Sequence, residues 1–178
     1  ETFEEIRTIH QKNISAVAVS PDGKLIASWA PGEGVFRLWD AQSGSEVMTF
    51  DDRKSDLKCF MFSPDGKHII SGDNANAGEI RTWDLTTGEM LSAIHAHPDY
   101  VSCVAVNSDG SRIASAGFTD TSVKVWDAQT GVQLTSLSGT PEQVGGALAF
   151  SPDGKYIASG SSISHIKIWE AETGKELR

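Results

Sequence analysis

The sequence predicts an all-β protein built from four similar units. Two anchors repeat along its 178 residues, a turn of the form Ser-Pro-Asp-Gly and a Trp-Asp pair. The turn begins at residues 20, 63, 107 and 151, with Asn-Ser-Asp-Gly as its third copy, and the copies lie 43, 44 and 44 residues apart. The Trp-Asp pair begins at residues 39, 83 and 126 and returns as Trp169-Glu170. A period of about 40–45 residues, made of short strands and tight turns, is typical of supersecondary units that bury their faces on one another.

The third unit shows how four strands fit within one period. An apolar run leads to the turn at residues 107–110, where Gly110 can adopt positive φ at little cost. A stretch with period-two alternation leads to Trp126, and a second turn follows at residues 127–131. No segment has a helical period. The four predicted strands, a to d, cover residues 101–106, 111–115, 122–126 and 132–137.

Charge and composition argue against two classes of partner, nucleic acids and membranes. Lys and Arg number 15 against 24 Asp and Glu, which gives a formal charge of -9. Because this surface repels phosphate backbones, we expect no nucleic-acid partner. No apolar run reaches the roughly 18 residues of a membrane span, and no basic-then-apolar signal pattern opens the chain. These features favour a cytoplasmic protein without a membrane partner.

The two cysteines are predicted to be reduced. Cys59 and Cys103 each stand four residues before a turn anchor, at equivalent positions of neighbouring units. A small buried thiol in strand a explains both residues. A disulfide would require Cα atoms within roughly 7 Å, which equivalent sites on adjacent sheets rarely meet.

Several spaced anchors together resemble a known family. The segments VAVSPDGKLIAS (residues 17–28) and FRLWDAQSG (residues 36–44), with their three relatives, look like blades of WD-repeat β-propellers. The resemblance covers nearly the whole chain. It implies four-stranded antiparallel blades arranged radially about a channel and a non-catalytic role as a scaffold for protein or peptide partners. The blades are predicted at about residues 10–50, 51–94, 95–137 and 138–178.

The resemblance also implies a buried hydrogen-bonded tetrad in each blade. Only the third unit has all four members, as His97, Ser115, Asp120 and Trp126. The serine recurs in the other units as Ser28, Ser71 and Ser159. The Asp position holds Glu33, Ala77 and Ile163. The His position holds Arg53 in unit two, Thr140 or Pro141 in unit four, and His10 in unit one unless His10 aligns instead with His95.

Chemistry at these positions is better explained by the scaffold than by catalysis. A Ser115-His97-Asp120 hydrolase triad would need an oxyanion hole, and no such motif accompanies it. His95 and His97 have no third ligand at suitable spacing, so we expect no metal and no other cofactor. Basic residues recur two positions before each Trp, which favours packing of their aliphatic stems and pairing with carboxylates from blade to blade. These residues are Arg37, Arg81, Lys124 and Lys167.

Three aromatic residues break the repeat. Trp29 stands where the other units have Gly or Ala, Phe118 lies in a b–c loop, and Tyr100 precedes strand a. Loops of these two types open onto one side of a propeller, so we expect the three residues to bind a partner there. For Trp29 a second interpretation stays open, in which its ring folds back and covers the core.

The chain ends predict self-association. Residues 2–9 read as a strand d without a blade of its own, whereas strand d of unit four stops short near residue 178. Two copies that exchange these strands would form an eight-blade ring without an open edge, so we expect a homodimer. A four-blade monomer, or a segment of a longer propeller, are the alternatives. An engineered or excised self-assembling building block is a second functional class, and a small-ligand binder or enzyme a third.

Overall fold

A computed structural model describes residues 7–31, 33–51, 57–73, 78–137, 144–161 and 165–177. These residues form fifteen β-strands and no helix long and apolar enough to cross a membrane. Sheet 1 contains β1 (Ala16–Val19), β2 (Leu25–Ala30), β3 (Val35–Asp40) and β4 (Glu46–Asp51). Sheet 2 contains β5 (Leu57–Phe62), β6 (His68–Asp73), β7 (Glu79–Asp84) and β8 (Met90–His95). Sheet 3 contains β9 (Val101–Val106), β10 (Arg112–Gly117), β11 (Val123–Asp127) and β12 (Gln133–Leu137). Sheet 4 contains β13 (Val144–Phe150), β14 (Tyr156–Ser161) and β15 (Ile166–Glu170).

Each sheet is an antiparallel meander in sequence order. Sheet 4 has three strands, extended by a bridge between Trp169 and Glu176 that begins a fourth. The all-β prediction of four repeated units is therefore confirmed. No pairing between described strands joins sheet 4 to sheet 1, so closure into a ring remains a prediction.

The turn between the first two strands of each sheet is held by its own side chains. In sheet 1, Ser20 donates to Asp22, and the same Ser20 Oγ accepts from the backbone N–H of Leu25 at 2.9 Å. Gly23 completes the turn with a φ of 72°, a conformation that side chains with a Cβ rarely adopt. In sheet 3, Asn107 replaces the serine, and its Oδ1 accepts from the N–H of Arg112 at 2.9 Å. The repeated sequence anchor is therefore turn chemistry.

The hydrophobic core lies between consecutive sheets. Strands β1, β5, β9 and β13 are the innermost strands and neighbour one another in that order. We call the side of a sheet that packs on the sheet before it the preceding face, and the opposite side the following face. Between sheets 2 and 3, for example, Ile70 and Ile80 of the following face pack against Val104, Ile113 and Trp126 of the preceding face. The same alternation builds the other two core layers.

Residues before β1 lie where an outer strand is expected. A Cβ placed on Gly44 would lie 3.5 Å from Cγ1 of Ile9. The equivalent Gly131 has the same relation to Ile94 of β8, at 3.2 Å, and Gly174 to Leu137 of β12, at 3.3 Å. Ile9 therefore takes the position of the outermost strand of a sheet that would precede sheet 1. Residues 2–6 of the predicted strand lie outside the described residues.

Cys59 and Cys103 are free thiols in neighbouring inner strands. Burial raises the pKa of the Cys59 thiol to about 12, and the nearby Cys103 adds to this effect. Burial also raises the pKa of Cys103. Both residues are therefore neutral packing groups, since the thiolate is the reactive form.

Candidate recognition surface and the tetrads beneath it

The four predicted tetrad residues of sheet 3 meet in one chain of hydrogen bonds. Trp126 Nε1 donates to Ser115 Oγ at 2.9 Å. Ser115 Oγ lies 2.8 Å from His97 Nε2, and His97 Nδ1 lies 2.9 Å from Asp120 Oδ2. Each donor in this chain has an acceptor when His97 is neutral, with its proton on Nδ1. The chain links strands β10 and β11 to two loops at one edge of the sheet, the loop before β9 and the loop between β10 and β11.

Burial determines the charge state of this histidine. Desolvation lowers the pKa of His97 below its ordinary value of 6.5, although the bond to Asp120 opposes the shift. Desolvation alone would raise the pKa of Asp120. The hydrogen bond and charge interaction with His97, together with hydrogen bonds from Ser122, outweigh that effect, and the net pKa of Asp120 is lowered. The neutral histidine thus donates to an ionised carboxylate, which is a charge-assisted bond.

The Trp–Ser bond recurs in every sheet, although the rest of the tetrad does not. The Nε1–Oγ distances are 2.8 Å for Trp39–Ser28, 3.1 Å for Trp83–Ser71 and 2.9 Å for Trp169–Ser159. The residues expected to extend the tetrads at Arg53, Ala77, Thr140, Pro141 and Ile163 lie outside the described residues.

In sheet 1 the residue beside His10 takes the histidine's place. The Ser28 hydroxyl donates to Gln11 Oε1, whereas His10 is exposed. Gln11 is therefore the equivalent of His97, so both expected alignments of His10, with His97 and with His95, are wrong by one residue. The amide of a glutamine contains both an acceptor group and a donor group, as a neutral imidazole does. This chemical similarity is the only signal in the sequence that points to Gln11. Gln11 Nε2 is buried and has no acceptor among the residues that the structure describes.

In sheet 2 an acidic residue fills the space above the Trp–Ser bond. Asp73 is fully buried and pairs with Arg81 at 2.9 Å. Its equivalent in sheet 3 is Gly117, where a Cβ would lie 2.4 Å from His97 Nδ1. A side chain at the position of Gly117 would therefore occupy the space that a tetrad histidine needs. This explains why sheet 2, which has Asp73 there, differs from sheet 3 above the Trp–Ser bond.

A stacked aromatic pair stands on the loop side of sheet 3. Tyr100 and Phe118 lie 4.5 Å apart between ring centroids, at an interplanar angle of 21°, and both are partly exposed. Two bonds join their loops. Phe118 N donates to Tyr100 O at 3.3 Å, and Thr119 N donates to Asp99 Oδ2 at 3.1 Å. The two loops that carry the pair also carry His97 and Asp120, whose hydrogen bond ties the loops together.

Comparison with known proteins settles the family. The model of the WD domain, G-beta repeat, matches residues 3–40, 44–84, 88–127 and 131–170. The chain belongs to the WD-repeat family. Each sheet is thus a blade, and the resemblance seen in the sequence is confirmed.

Curated relatives share the repeat over part of their length. A WD repeat-containing protein of Synechocystis is 36% identical over 35% of this chain and 18% of its own length. Autophagy-related protein 16 of Arabidopsis thaliana is 30% identical over 62% of this chain and 21% of its own. The target of rapamycin complex subunit wat1 of Schizosaccharomyces pombe is 29% identical over 58% and 32%. The chain therefore spans about a fifth to a third of these relatives.

The recurring basic residues pair with carboxylates inside their own blades. Lys124 contacts Asp120 at 3.5 Å, and its ammonium donates to the carbonyl of Ala96 at 2.6 Å. Lys167 pairs with Glu176 at 3.0 Å. Arg37 pairs in the same way with Glu33 and Glu46, and Arg81 with Asp73 and Glu79. The expectation of blade-to-blade pairing is wrong for these contacts, because the b–c loop, the strand ends beside it and the outer strand of the same blade supply the carboxylates.

Trp29 does not belong to the exposed surface. Its side chain is 0% exposed, and it packs against Phe36 at 5.0 Å in the layer between blades 1 and 2. Phe36 in turn contacts Phe60 and Trp83 of blade 2. The expectation of a partner anchor at Trp29 is corrected, because β2 turns this side chain toward the neighbouring blade. Tyr100 and Phe118 remain the candidates.

The described residues contain no group of three or more His, Cys, Asp or Glu side chains that could hold a metal ion. His97 and Ser115 are buried, and each polar atom of the pair is engaged within the tetrad. The arrangement stabilises the blade and leaves no free nucleophile at this position.

Replacing His97 by Ala tests the tetrad. The change leaves the Ser115 hydroxyl and the Asp120 carboxylate without their partner, so we expect a loss on the order of 1–3 kcal/mol in the free energy of unfolding. Urea denaturation measures it. His95→Ala is the matched control, since this neighbouring side chain is 78% exposed and its ion pair with Glu79 should contribute little. Equal losses for both variants would contradict the assignment.

The same site predicts a dependence on pH. Because the pKa of His97 is lower in the folded state, the unfolded state binds the proton more readily. The stability that His97 provides is therefore complete above the ordinary pKa of 6.5 and decreases as pH falls below it. In His97→Gln this residue no longer titrates, so the stability gap to the original chain should narrow between about pH 7 and about pH 5. A gap that widens over this interval would count against a neutral buried histidine.

Proposed function

We propose that this WD-repeat chain is a non-catalytic platform that recognises a protein or peptide through the loop side of blade 3. The observation that carries the proposal is the stacked pair of Tyr100 and Phe118, which is partly exposed. Aromatic side chains held in one geometry bury much apolar area on binding at low entropic cost. Family membership supports the same class, since one WD-repeat relative, wat1 of Schizosaccharomyces pombe, is by its name a subunit of a protein complex.

The tetrad contributes to this function by fixing the loops. Asp120 closes the tetrad from the b–c loop that carries Phe118, and His97 closes it from the loop that carries Tyr100. Two loops tied to one buried chain need little reorganisation when a partner binds. An enzyme is the less favoured class, because the side chains of Ser115, His97 and Asp120 are hydrogen-bonded to one another and to Trp126 within the scaffold.

Selected peptides provide the test. Peptides taken from a random phage-displayed library against the whole chain should bind the aromatic pair and lose affinity by about tenfold or more in Tyr100→Ala or Phe118→Ala. Calorimetry measures the affinity. Tyr156→Ala is the control, since Tyr156 is 42% exposed on blade 4 and lies outside the proposed surface. Peptides insensitive to both substitutions at the pair would refute the proposal.

A second proposal concerns self-association into an eight-blade ring. The two end faces of the chain expose positions that are interior elsewhere. On blade 4, Ile166 is 75% exposed, whereas its equivalent Val123 on blade 3 is 0% exposed. On the preceding face of blade 1, Val17 is 65% exposed, whereas its equivalent Val104 is 7% exposed. The following face of blade 4 and the preceding face of blade 1 correspond to the two faces that pack together between blades 3 and 4. The following face of one copy can therefore pack against the preceding face of another.

The N-terminal segment supports this arrangement. Ile9 lies at the outer-strand position of a blade that precedes blade 1. In a dimer with a two-fold axis along the channel, that preceding blade is blade 4 of the second copy, and residues 2–9 become its outer strand. Both apolar end faces are then covered, and the unpaired strand edge is removed.

Light scattering after size exclusion tests the ring. The self-assembly proposal predicts twice the 19.1 kDa of one chain. Val17→Asp and Ile166→Asp should each return the monomer, since each buries a charge in the interface. Val132→Asp is the control, because Val132 is 59% exposed beside the outer strand of blade 3. A stable monomer of the original chain would contradict the ring and would favour a segment whose end faces are covered by further blades of a longer polypeptide.

A further inference from the structure

A cavity of about 430 Å³ opens between blades 2 and 3 on the turn side, opposite the loops that carry Tyr100 and Phe118. Its apolar walls come from the following face of blade 2 and the preceding face of blade 3. The main apolar contributors are Ile70, Leu91, Val106 and Ile113. Leu91 is 53% exposed and stands at the outer rim. A pocket of this size matches small ligands and single large side chains.

The cavity exists because blade 3 has a smaller residue than its neighbours. Val106 ends the inner strand of blade 3, at the position of Phe62 in blade 2 and Phe150 in blade 4. Phe62 is 5% exposed and packs into the layer between blades 1 and 2. Phe150 packs in the same way between blades 3 and 4. Between blades 2 and 3, the volume of a phenyl ring is left unfilled.

The facing blade does not compensate for the missing ring. Thr82 and Ser92 of blade 2 form a cross-strand pair that lines the cavity. The equivalent pair in blade 1 is Leu38 and Met48, and both pack toward blade 2. The layer between blades 2 and 3 thus has two small polar side chains where the layer between blades 1 and 2 has two larger apolar ones. Among the three described layers, it is also the one that lacks the phenylalanine. The three replacements together enlarge one space.

Two carboxylates border this space. Asp65 and Asp109 belong to the turns of blades 2 and 3 and line the cavity, together with His68. Both turns are acidic at neutral pH, because hydrogen bonds from Ser63 and Ser111 lower the pKa of Asp65 and Asp109. The carboxylates favour a cationic group at the mouth of an apolar space.

From the missing ring and the acidic rim, we propose that this cavity binds an aromatic side chain of a partner protein, with a basic residue next to it in the partner sequence. The phenyl ring takes the place that Phe62 and Phe150 fill at the other two layers. The neighbouring guanidinium or ammonium pairs with Asp65 and Asp109. This second surface is independent of the aromatic pair on the opposite side, so the chain can hold two partners at once.

Three dipeptide probes test the proposal, namely acetyl-Arg-Phe-amide, acetyl-Glu-Phe-amide and acetyl-Arg-Ala-amide. Titration of the full chain, followed by amide chemical shifts, should show saturable binding of the first probe at the signals of Val106 and Ile113. The second probe should bind several-fold more weakly, since the acidic rim repels it. The third should not saturate, because it lacks the ring. Equal binding of all three, or shifts spread over the surface, would overturn the proposal.

Filling the cavity provides the matched variants. Val106→Phe supplies the missing ring from within the chain, so it should abolish binding of acetyl-Arg-Phe-amide and raise the midpoint of thermal unfolding. Val104→Phe is the control, since Val104 already packs in the core between blades 2 and 3 and a larger ring there should lower the midpoint. Thr82→Leu fills the same space from the other wall and should weaken binding as well. Retained binding in Val106→Phe, or a lowered midpoint, would show that the space does not accept a phenyl ring.

The charge requirement and the independence of the two sites are tested separately. Asp65→Asn and Asp109→Asn keep an acceptor for the turn but remove the charge, and together they should erase the preference for the Arg over the Glu probe. Tyr100→Ala should leave binding of acetyl-Arg-Phe-amide unchanged. If Tyr100→Ala abolishes it, the probe binds on the loop side and the second site is wrong, whereas the proposed function of the aromatic pair still holds.

Discussion

The structure depends on one hydrogen bond, from the indole N–H of a tryptophan in the third strand of each blade to the serine hydroxyl of the second. It occurs in all four blades at 2.8–3.1 Å. In blades 2, 3 and 4 the indole packs on the preceding blade, so its N–H is removed from water and needs an acceptor inside the protein. The serine provides that acceptor from the neighbouring strand. One bond therefore fixes the register of two strands and allows the large ring that joins consecutive blades.

The side chains that adjoin this bond on the loop side differ from blade to blade. His97 and Asp120 continue the chain in blade 3, whereas Gln11 continues it in blade 1. In blade 2 the ion pair of Asp73 and Arg81 occupies the corresponding space. Because the serine hydroxyl needs only one acceptor for its own proton, several side chains can supply it. The complete tetrad has a local consequence in blade 3, where it holds the two loops that present the aromatic pair.

Sequence reasoning predicted the features that arise from neighbouring residues. The strands and both types of turn follow from spacing and local hydrogen bonding, as with the Asp22 turn, whereas the tetrad of blade 3 was implied by the family resemblance. It missed features that depend on packing between blades. The ring of Trp29 is buried, but its only polar atom, Nε1, has no acceptor among the described residues. No local hydrogen bond therefore indicates in the sequence that this ring is buried. The cavity beside Val106 becomes visible only when the equivalent Phe62 and Phe150 are seen packed against their neighbouring blades.

Single Ser→Ala substitutions in the four blades test the central role of the Trp–Ser bond most directly. Ser28, Ser71, Ser115 and Ser159 are all at most 3% exposed, so each change leaves a buried indole N–H without its acceptor. Urea unfolding should show a loss on the order of 1–3 kcal/mol for every one of the four variants, whether or not the blade has a histidine. A loss at Ser115 alone would contradict the account, because the complete tetrad, and not the shared bond, would then hold the blades together.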